Sequence, residues 1–304
     1  MEAARTGTVT EGREATSAGP KRVLSGRSLG HIGMGVQLLG ASTRLSIDES
    51  IRAIHAGFAG GALLLDTSDV YAPNRYWTGN GERLIGEALR QWPHDRDRIV
   101  VATKGGHLLG ADPMDVTADG RPEHLRVACE ASLKALGREV IDLYQLHSVD
   151  PNVPLEASLG ALIQLREEGK IREIGLSNVG RSQLASALAM TSIASVQNRY
   201  SLLALQSRAV LDMCAEHGVL FLPWSPLGRD DAKNIGDRIA ALTSIAEQHG
   251  VSPQRVALAW LLAQGDHVLP LSGATKIVNI LDNLSAATLD LSAEELTMLS
   301  GNGA

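Results

Sequence analysis

The chain has 304 residues, of which 44% are hydrophobic and 20% charged, a balance typical of a globular protein with one large α/β domain or two ordinary ones. Its net charge of -6 argues against a nucleic-acid-binding surface, and its longest apolar runs are far shorter than a membrane span. Two distant cysteines, Cys129 and Cys214, form neither a disulfide framework nor a zinc site, so no metal is expected. With no signal-peptide pattern at its start, the sequence predicts a cytoplasmic protein.

The first 22 residues are rich in Gly, Thr, Ser, Ala and Glu and carry no apolar period. This composition predicts a disordered tail over residues 1–22. Residues 23–304 are then expected to form the folded part of the chain.

Eight short apolar runs follow the tail, each rich in Val, Ile and Leu. Such runs are typical of strands buried on both faces, as in a parallel sheet. The predicted strands are 32–36, 62–66, 99–103, 141–147, 171–177, 194–197, 219–224 and 268–271.

Longer amphipathic patterns alternate with these runs. The pattern over 122–136, for example, begins with Pro122 and ends before Gly137, which is the usual start and stop chemistry of a helix. The predicted helices are 48–59, 81–91, 122–136, 155–168, 181–189, 207–216, 235–249, 253–263 and 276–286.

Eight strands, each followed by a helix, are the pattern of a (β/α)8 TIM barrel. The competing architecture is a doubly wound open sheet, whose dinucleotide-binding form carries G-x-G-x-x-G after the first strand. The first strand here contains Gly33 and Gly35 but lacks the third glycine of that motif. We therefore predict an α/β protein with a single-domain (β/α)8 barrel.

Ionisable side chains end three consecutive predicted strands: Asp66, Lys104 and His147. The active site of such a barrel lies at the C-terminal ends of its strands, and neighbouring strands are only about 4.8 Å apart. A short loop after Asp66 can fold Tyr71 back over the barrel mouth. We therefore expect these four side chains to meet.

The chemistry of this set is proton donation. A tyrosine ordinarily has a pKa near ~10, and a neighbouring ammonium group favours the phenolate. Lys104 is therefore expected to lower the pKa of Tyr71 and make it a general acid. Asp66 would hold Lys104 charged, and His147 would orient the incoming oxygen or share the proton relay.

Six stretches in the sequence match a known family in their residues and their order. They are LLDTSDVY (64–71), VATK (101–104), DLYQLH (142–147), GLSN (175–178), VQNRY (196–200) and WSPLG (224–228). With them the chain resembles the aldo-keto reductases over about residues 30–285. Each stretch alone is weak evidence, but the set is specific.

The resemblance implies a barrel that binds NADP(H) across its strand ends and reduces an aldehyde or ketone. It implies a catalytic tetrad of Asp66, Tyr71, Lys104 and His147. Tyr71 would donate the proton while the nicotinamide gives a hydride to the carbonyl carbon. The expected partner is thus a small-molecule carbonyl substrate, and the oligomeric state stays open.

For the cofactor, the resemblance implies a nicotinamide stacked on Trp224, with its carboxamide held by Ser177, Asn178 and Gln197. The pyrophosphate would lie beside the loop 225–228. The residues implied in full are Gly35, Val36, Gln37, Ser177, Asn178, Gln197, Trp224, Ser225, Pro226, Leu227, Gly228, Gly273, Ala274, Thr275, Lys276, Asn279, Asp282 and Asn283.

Some positions depart from the family pattern. Asn279 stands where the family often has an arginine for the 2′-phosphate of NADP(H), although Lys276 and Thr275 could supply a charge and a hydroxyl instead. NADP(H) is favoured, and NAD(H) stays possible.

The substrate pocket also departs from the family pattern. Ser148 follows His147 in place of a bulky aromatic residue. Tyr76 and Trp77, in the long loop 73–80, are expected to line this pocket.

Two other functions remain open from the sequence. One is a Schiff-base lyase or aldolase in which Lys104 is the nucleophile. The other is a nicotinamide-binding redox sensor or partner subunit. Other ionisable residues are interpreted without a function. Glu82 is predicted to be a charge at a helix end. His107 is predicted to be a surface or capping residue, as are the other histidines outside the tetrad.

Overall fold

The computed structural model describes residues 22–110, 115–228 and 236–301. The predicted tail lies outside these residues except for Arg22. This arginine is buried, and its Nε donates a hydrogen bond to the carbonyl oxygen of Val268 (2.6 Å).

The strands are β1 (Val23–Leu24), β2 (Arg27–Ser28), β3 (Gly33–Gly35), β4 (Leu64–Asp66), β5 (Val100–Gly105), β6 (His107–Leu109), β7 (Val116–Ala118), β8 (Ile141–Leu146), β9 (Ile171–Ser177), β10 (Ser195–Gln197), β11 (Leu220–Phe221) and β12 (Leu271–Ser272). The helices are α1 (Gln37–Gly40), α2 (Ile47–Ala59), α3 (Asn80–Gln91), α4 (Pro122–Leu136), α5 (Leu155–Glu167), α6 (Arg181–Met190), α7 (Arg208–His217), α8 (Gly236–His249), α9 (Pro253–Leu262), α10 (Ile277–Leu284) and α11 (Ala293–Ser300).

Eight parallel strands form one curled sheet in the order β11-β10-β9-β8-β5-β4-β3-β12. Backbone hydrogen bonds join its two ends: Phe221 N–H donates to His267 O (2.8 Å) and Leu269 N–H to Phe221 O (2.9 Å). The (β/α)8 barrel predicted from the sequence is confirmed.

The two strands at this seam are shorter than predicted. β11 ends before Pro223, and β12 begins after Pro270. Proline has no backbone N–H to donate to a ladder, so each of these residues interrupts regular pairing. Elsewhere the agreement is close: α4 and β9 have the predicted bounds.

Helix ends follow local capping chemistry. In α2, Ser46 and Glu49 form a capping box, and Ser292 and Glu295 form another at α11. At the end of α4, Gly137 adopts the left-handed conformation (φ +65°) that glycine tolerates best. α11 was not predicted, although its capping box is readable in the sequence.

The barrel interior is packed with aliphatic side chains, among them Leu64, Val100, Leu143, Leu222 and Leu269. A hairpin formed by β1 and β2, which the sequence analysis did not identify, adds Leu24 and Leu29 to this cluster. Its turn residues, Ser25 and Gly26, both have positive φ, as a type I′ hairpin requires. A second and larger hydrophobic cluster includes residues of the barrel strands and of the surrounding helices.

Candidate active site

The loop after β4 brings Tyr71 to the barrel mouth. Tyr71 N–H donates to Ser68 O (3.2 Å), and Gly81 N–H at the start of α3 donates to Tyr71 O (3.2 Å). A Cβ atom at Gly81 would lie 2.5 Å from Thr67 Oγ1. Glycine at this position therefore lets α3 approach and support the loop that carries Tyr71.

Lys104, near the end of β5, is fully buried, and three acceptors surround its ammonium group. Its Nζ donates to Asp66 Oδ2 (2.8 Å), Thr67 O (2.8 Å) and Tyr71 OH (3.3 Å). Burial alone would lower the pKa of Lys104, but attraction and hydrogen bonding by Asp66 and Tyr71 outweigh it and raise that pKa. Lys104 is thus held charged, with all three N–H donors in use.

Asp66 is held from its other side by two glutamines. Its Oδ1 accepts hydrogen bonds from Gln197 Nε2 (2.8 Å) and Gln145 Nε2 (3.3 Å). The Gln197 amide, expected at the cofactor carboxamide, donates through its Nε2 to this carboxylate. Sequence reasoning missed Gln145, although a buried amide two residues before His147 in an apolar strand is a readable signal.

The pKa of Tyr71 shifts in the direction opposite to the one expected. Its ring lies 4.8 Å from Lys104 Nζ, and the cation favours the phenolate. Burial acts more strongly, however, and raises the pKa of Tyr71 above its ordinary value. The prediction that Lys104 lowers this pKa toward neutrality is therefore wrong: Tyr71 keeps its proton throughout the neutral range.

His147 completes the group, with its ring centroid 5.9 Å from that of Tyr71. Burial, Lys104 and His107 lower the pKa of His147 well below its ordinary value, so the imidazole is neutral. Its Nδ1 lies 3.1 Å from Ser68 Oγ. The four predicted catalytic side chains thus lie around one mouth.

His107 is not the surface or capping residue that the sequence analysis predicted. Its ring stacks on that of His147 at 3.9 Å and 17°, and its Nε2 lies 2.6 Å from Ser148 Oγ. Burial lowers the pKa of His107 to about 4. This contact depends on the hairpin β6–β7, which the apolar pattern of the sequence does not indicate.

Glu82 is likewise not a solvated helix-end charge. It is 1% exposed and accepts a hydrogen bond from Thr103 Oγ1 (2.6 Å), and burial raises its pKa. Together with Asp69 it lines a cavity of about 580 Å³ beside the tetrad.

Trp224 and Asn178 lie together on the rim. Trp224 is partly exposed, and its Nε1–H donates to Asn178 Oδ1 (3.0 Å). Asn178 has positive φ (+56°), and its Nδ2 donates to His147 O (3.0 Å). Ser177 is buried and donates to Gln197 O (2.9 Å).

The turn after Trp224 is tight. Ser225 has φ +52°, and Gly228 N–H donates to Ser225 O (3.0 Å). Between them Pro226 is buried and Leu227 partly exposed. Residues 229–235, which follow Gly228 in the sequence, lie outside the described part of the chain.

Gly35 ends β3 and Gly273 directly follows β12, so both lie where these two neighbouring strands reach the rim. A Cβ atom on Gly273 would lie 3.3 Å from Gly35 O, so the strand ends approach closely. Val36 is fully buried, whereas Gln37 is exposed and Ala274 partly exposed.

The expected cofactor residues around α10 divide into two groups. Thr275, Lys276 and Asn279 are exposed. Asp282 and Asn283 are engaged within the protein, since Asp282 accepts from Ser252 and Arg255 and Asn283 donates to Ser272 Oγ (2.7 Å).

The residues expected to line the substrate pocket also divide into exposed ones and one that is engaged within the protein. Tyr76 and Trp77 lie on a short 3₁₀ helix (Arg75–Trp77) and are 81% and 56% exposed. Ser148 pairs with His107.

The part of the chain that the structure describes holds no cluster of three or more His, Cys, Asp or Glu side chains suited to a metal ion. None of its helices is long and apolar enough to cross a membrane. Cys129 and Cys214 are buried and free, and burial raises the pKa of both thiols to about 12.

The sequence model of the Aldo/keto reductase family matches residues 31–301. The chain belongs to this family. Membership confirms the resemblance seen in the sequence and identifies the chain as an oxidoreductase of the type that reduces carbonyl compounds.

Individual relatives agree with this assignment. A probable aldo-keto reductase from Glycine max is 36% identical, with 83% of this chain and 78% of the relative covered. A glycerol dehydrogenase from Gluconobacter oxydans superposes with a TM-score of 0.78 at 27% identity, with 88% of this chain and 89% of that chain covered. An aldo-keto reductase from Klebsiella pneumoniae, solved with NADPH, superposes with a TM-score of 0.76 at 26% identity. The superposition covers 92% of this chain and 93% of that chain.

Proposed function

We propose that this aldo-keto reductase reduces a small aldehyde or ketone with NADPH and that Tyr71 is the general acid. One observation carries the proposal: the Lys104 ammonium, charged and fully buried, donates to the Tyr71 hydroxyl at the barrel mouth (3.3 Å). Because this bond uses an acceptor lone pair of the hydroxyl, its proton remains free for a substrate oxygen.

Lys104 stabilises the phenolate that forms when Tyr71 gives up its proton. A raised pKa keeps Tyr71 protonated before reaction. The neutral His147 ring can hydrogen-bond the same carbonyl oxygen, and Asp66 and its two glutamines keep Lys104 in place. Tyr71 thus protonates the oxygen and His147 orients it, while the other side chains fix the position of Lys104 in advance.

The rim residues fit a nicotinamide cofactor in part. The partly exposed Trp224 ring offers a stacking face, and Asn178 holds that ring by accepting a hydrogen bond from Trp224 Nε1–H. Lys276, exposed before α10, is the candidate for the 2′-phosphate. When bound, the reduced nicotinamide supplies the hydride for the carbonyl carbon. The NADPH in the Klebsiella pneumoniae structure supports this choice of cofactor.

The Schiff-base alternative is disfavoured by the surroundings of Lys104. A nucleophilic amine needs a free lone pair and access to substrate. Lys104 is fully buried, its pKa is raised, and all three of its N–H donors are in use.

A cytoplasmic location stays a prediction from the sequence.

Titration with NADPH, followed by tryptophan fluorescence, tests the cofactor site. We expect quenching through Trp224. The quenching should be lost in Trp224→Phe, which keeps a stacking ring, and retained in Trp92→Phe, since Trp92 packs against Phe58 (5.1 Å) instead. Equal quenching in the Trp224→Phe variant would remove Trp224 from the cofactor site.

Lys276→Ala is expected to weaken NADPH binding by about 10- to 100-fold, because a charge-assisted hydrogen bond contributes about 1.5–3 kcal/mol and 1.4 kcal/mol corresponds to a factor of ten. NADH is the matched control because it lacks the 2′-phosphate, and its affinity should not change. Calorimetric titration measures both. A parallel loss for the two cofactors would show that Lys276 does not read this phosphate.

A further inference from the structure

A chain of hydrogen-bonding groups runs from His147 to a carboxylate outside the tetrad. Ser68 Oγ lies 3.1 Å from His147 Nδ1 and 2.9 Å from Asp69 Oδ1. Ser68 is fully buried. Asp69 also borders the cavity of about 580 Å³, which lies between α3, α4 and the hairpin β6–β7.

The serine hydroxyl has one proton, so it donates to only one of these neighbours at a time. If Asp69 is ionised, Ser68 donates to the carboxylate and accepts from Nδ1–H of His147, which leaves Nε2 with a lone pair. If Asp69 is protonated, it donates to Ser68. Ser68 then donates to Nδ1 of His147, the nearer of its two remaining acceptors (3.1 Å, against 3.4 Å to Lys104 O), and the imidazole proton is on Nε2. The two states differ by one proton, which leaves to solvent or returns from it.

We propose that Asp69 is a positioning residue that sets the tautomer of His147 through Ser68, so that Nε2 of His147 donates to a carbonyl oxygen in one state and accepts from an alcohol in the other. The inference rests on the proposed function, in which His147 binds the substrate oxygen. Nε2 is the ring nitrogen available for that bond because Nδ1 faces Ser68.

The electrostatic surroundings make this exchange accessible near neutral pH. Burial and the negative charge of Glu82 raise the pKa of Asp69 to about 7, against the hydrogen bonds from Ser68 and Val70 N–H and the charge of Lys104. The other ionisable groups that line the same cavity are Arg75, Arg83, His107, His124 and Lys134.

The direction of the pH dependence follows from these states. Below about pH 7 Asp69 is protonated and Nε2 of His147 carries the proton, which favours reduction. Above it the carboxylate forms and Nε2 becomes an acceptor, which favours alcohol oxidation. Because the pKa of His147 is well below its ordinary value, the imidazole stays neutral and only its tautomer changes.

Nitrogen-15 NMR of histidine-labelled protein, without substrate or cofactor, tests the inference. The His147 signals are assigned by their loss in His147→Gln. We expect the Nε2–H tautomer at pH values well below 7 and the Nδ1–H tautomer well above, with a midpoint at the pKa of Asp69, about 7. In Asp69→Asn and Ser68→Ala the tautomer ratio should no longer depend on pH.

Glu82→Gln is the matched control, since it also neutralises a buried carboxylate beside the same cavity. The transition should persist in this variant and move to lower pH, because Glu82 raises the pKa of Asp69. A His147 tautomer that does not change with pH in the wild type, or an unchanged transition in Asp69→Asn, would overturn the inference.

The pH profiles of kcat for reduction and for oxidation complete the test. Reduction consumes one proton, so the ratio of the two rates changes with pH in every variant. The wild type should show in addition an inflection near pH 7 in its kcat profiles, and Asp69→Asn should lose that inflection. Because the NMR readout needs no turnover, the two proposals fail separately. A tautomer change without carbonyl reduction would contradict the proposed function alone, and turnover without a tautomer change would contradict this inference alone.

Discussion

Tyr71→Phe is expected to lower kcat for carbonyl reduction by about 10²–10⁴-fold, which is the usual contribution of a general acid. The phenylalanine ring keeps the place beside Lys104, whose Nζ lies 4.8 Å from the Tyr71 centroid. Only the hydroxyl is lost. Affinity for NADPH should therefore stay the same, and steady-state kinetics together with a cofactor titration measure the two effects.

Tyr76→Phe is the matched control for this variant. Tyr76 carries the same hydroxyl five residues later but is 81% exposed on its 3₁₀ helix and bonds to Arg75. Its removal should leave kcat close to that of the wild type. If Tyr76→Phe lost more activity than Tyr71→Phe, the assignment of the acid would be wrong.

Asp66→Asn is expected to destabilise the protein by about 3–5 kcal/mol, since breaking a buried ion pair leaves an uncompensated charge. Lys104 is fully buried, so no solvent screens its charge. Of the two side chains that accept a hydrogen bond from its ammonium group, Asp66 is the nearer (2.8 Å). Urea unfolding, with the midpoint and slope both fitted, measures the change.

The double variant Asp66→Asn, Lys104→Met separates stability from activity. With both charges removed, much of the lost stability should return, because an uncharged replacement of a buried pair is often neutral. Carbonyl reduction should not return. Asp212→Asn, which breaks the half-exposed pair with Arg208, is the control and should change stability little. A single Asp66→Asn variant as stable as this control would contradict the assigned role of the pair.

The barrel and the tetrad residues were readable because ionisable residues stand out at the ends of apolar runs. Asp66, Lys104 and His147 each end such a run, and barrel topology brings strand ends together. The loop after β4 is short enough that Tyr71 has to lie near the mouth. These inferences need only the order and spacing of residues.

The surroundings of the tetrad were not readable because they depend on how separate elements pack. Strand alternation places Gln145 on the same face as His147, but nothing in the sequence shows that its amide and that of Gln197 both reach Asp66. The stack of His107 on His147 requires the hairpin β6–β7, and the burial of Glu82 requires the close approach of α3.

The direction of the Tyr71 pKa shift was missed for a different reason. It is the balance of two opposed effects, the cation of Lys104 and the burial of the phenol. The sequence showed the first effect but not the size of the second. A sequence can therefore indicate which groups interact before it indicates which of their effects is larger.

The most direct test of the account is hydride transfer itself. NADPH doubly deuterated at C4 of the nicotinamide is incubated with the wild-type protein and a panel of aldehydes and ketones, and the alcohols are analysed by mass spectrometry. We expect one deuterium on the carbinol carbon of each product. Alcohol formed without deuterium would contradict direct hydride transfer. Tight binding of NADPH with no aldehyde or ketone of the panel reduced would contradict the proposed reductase function.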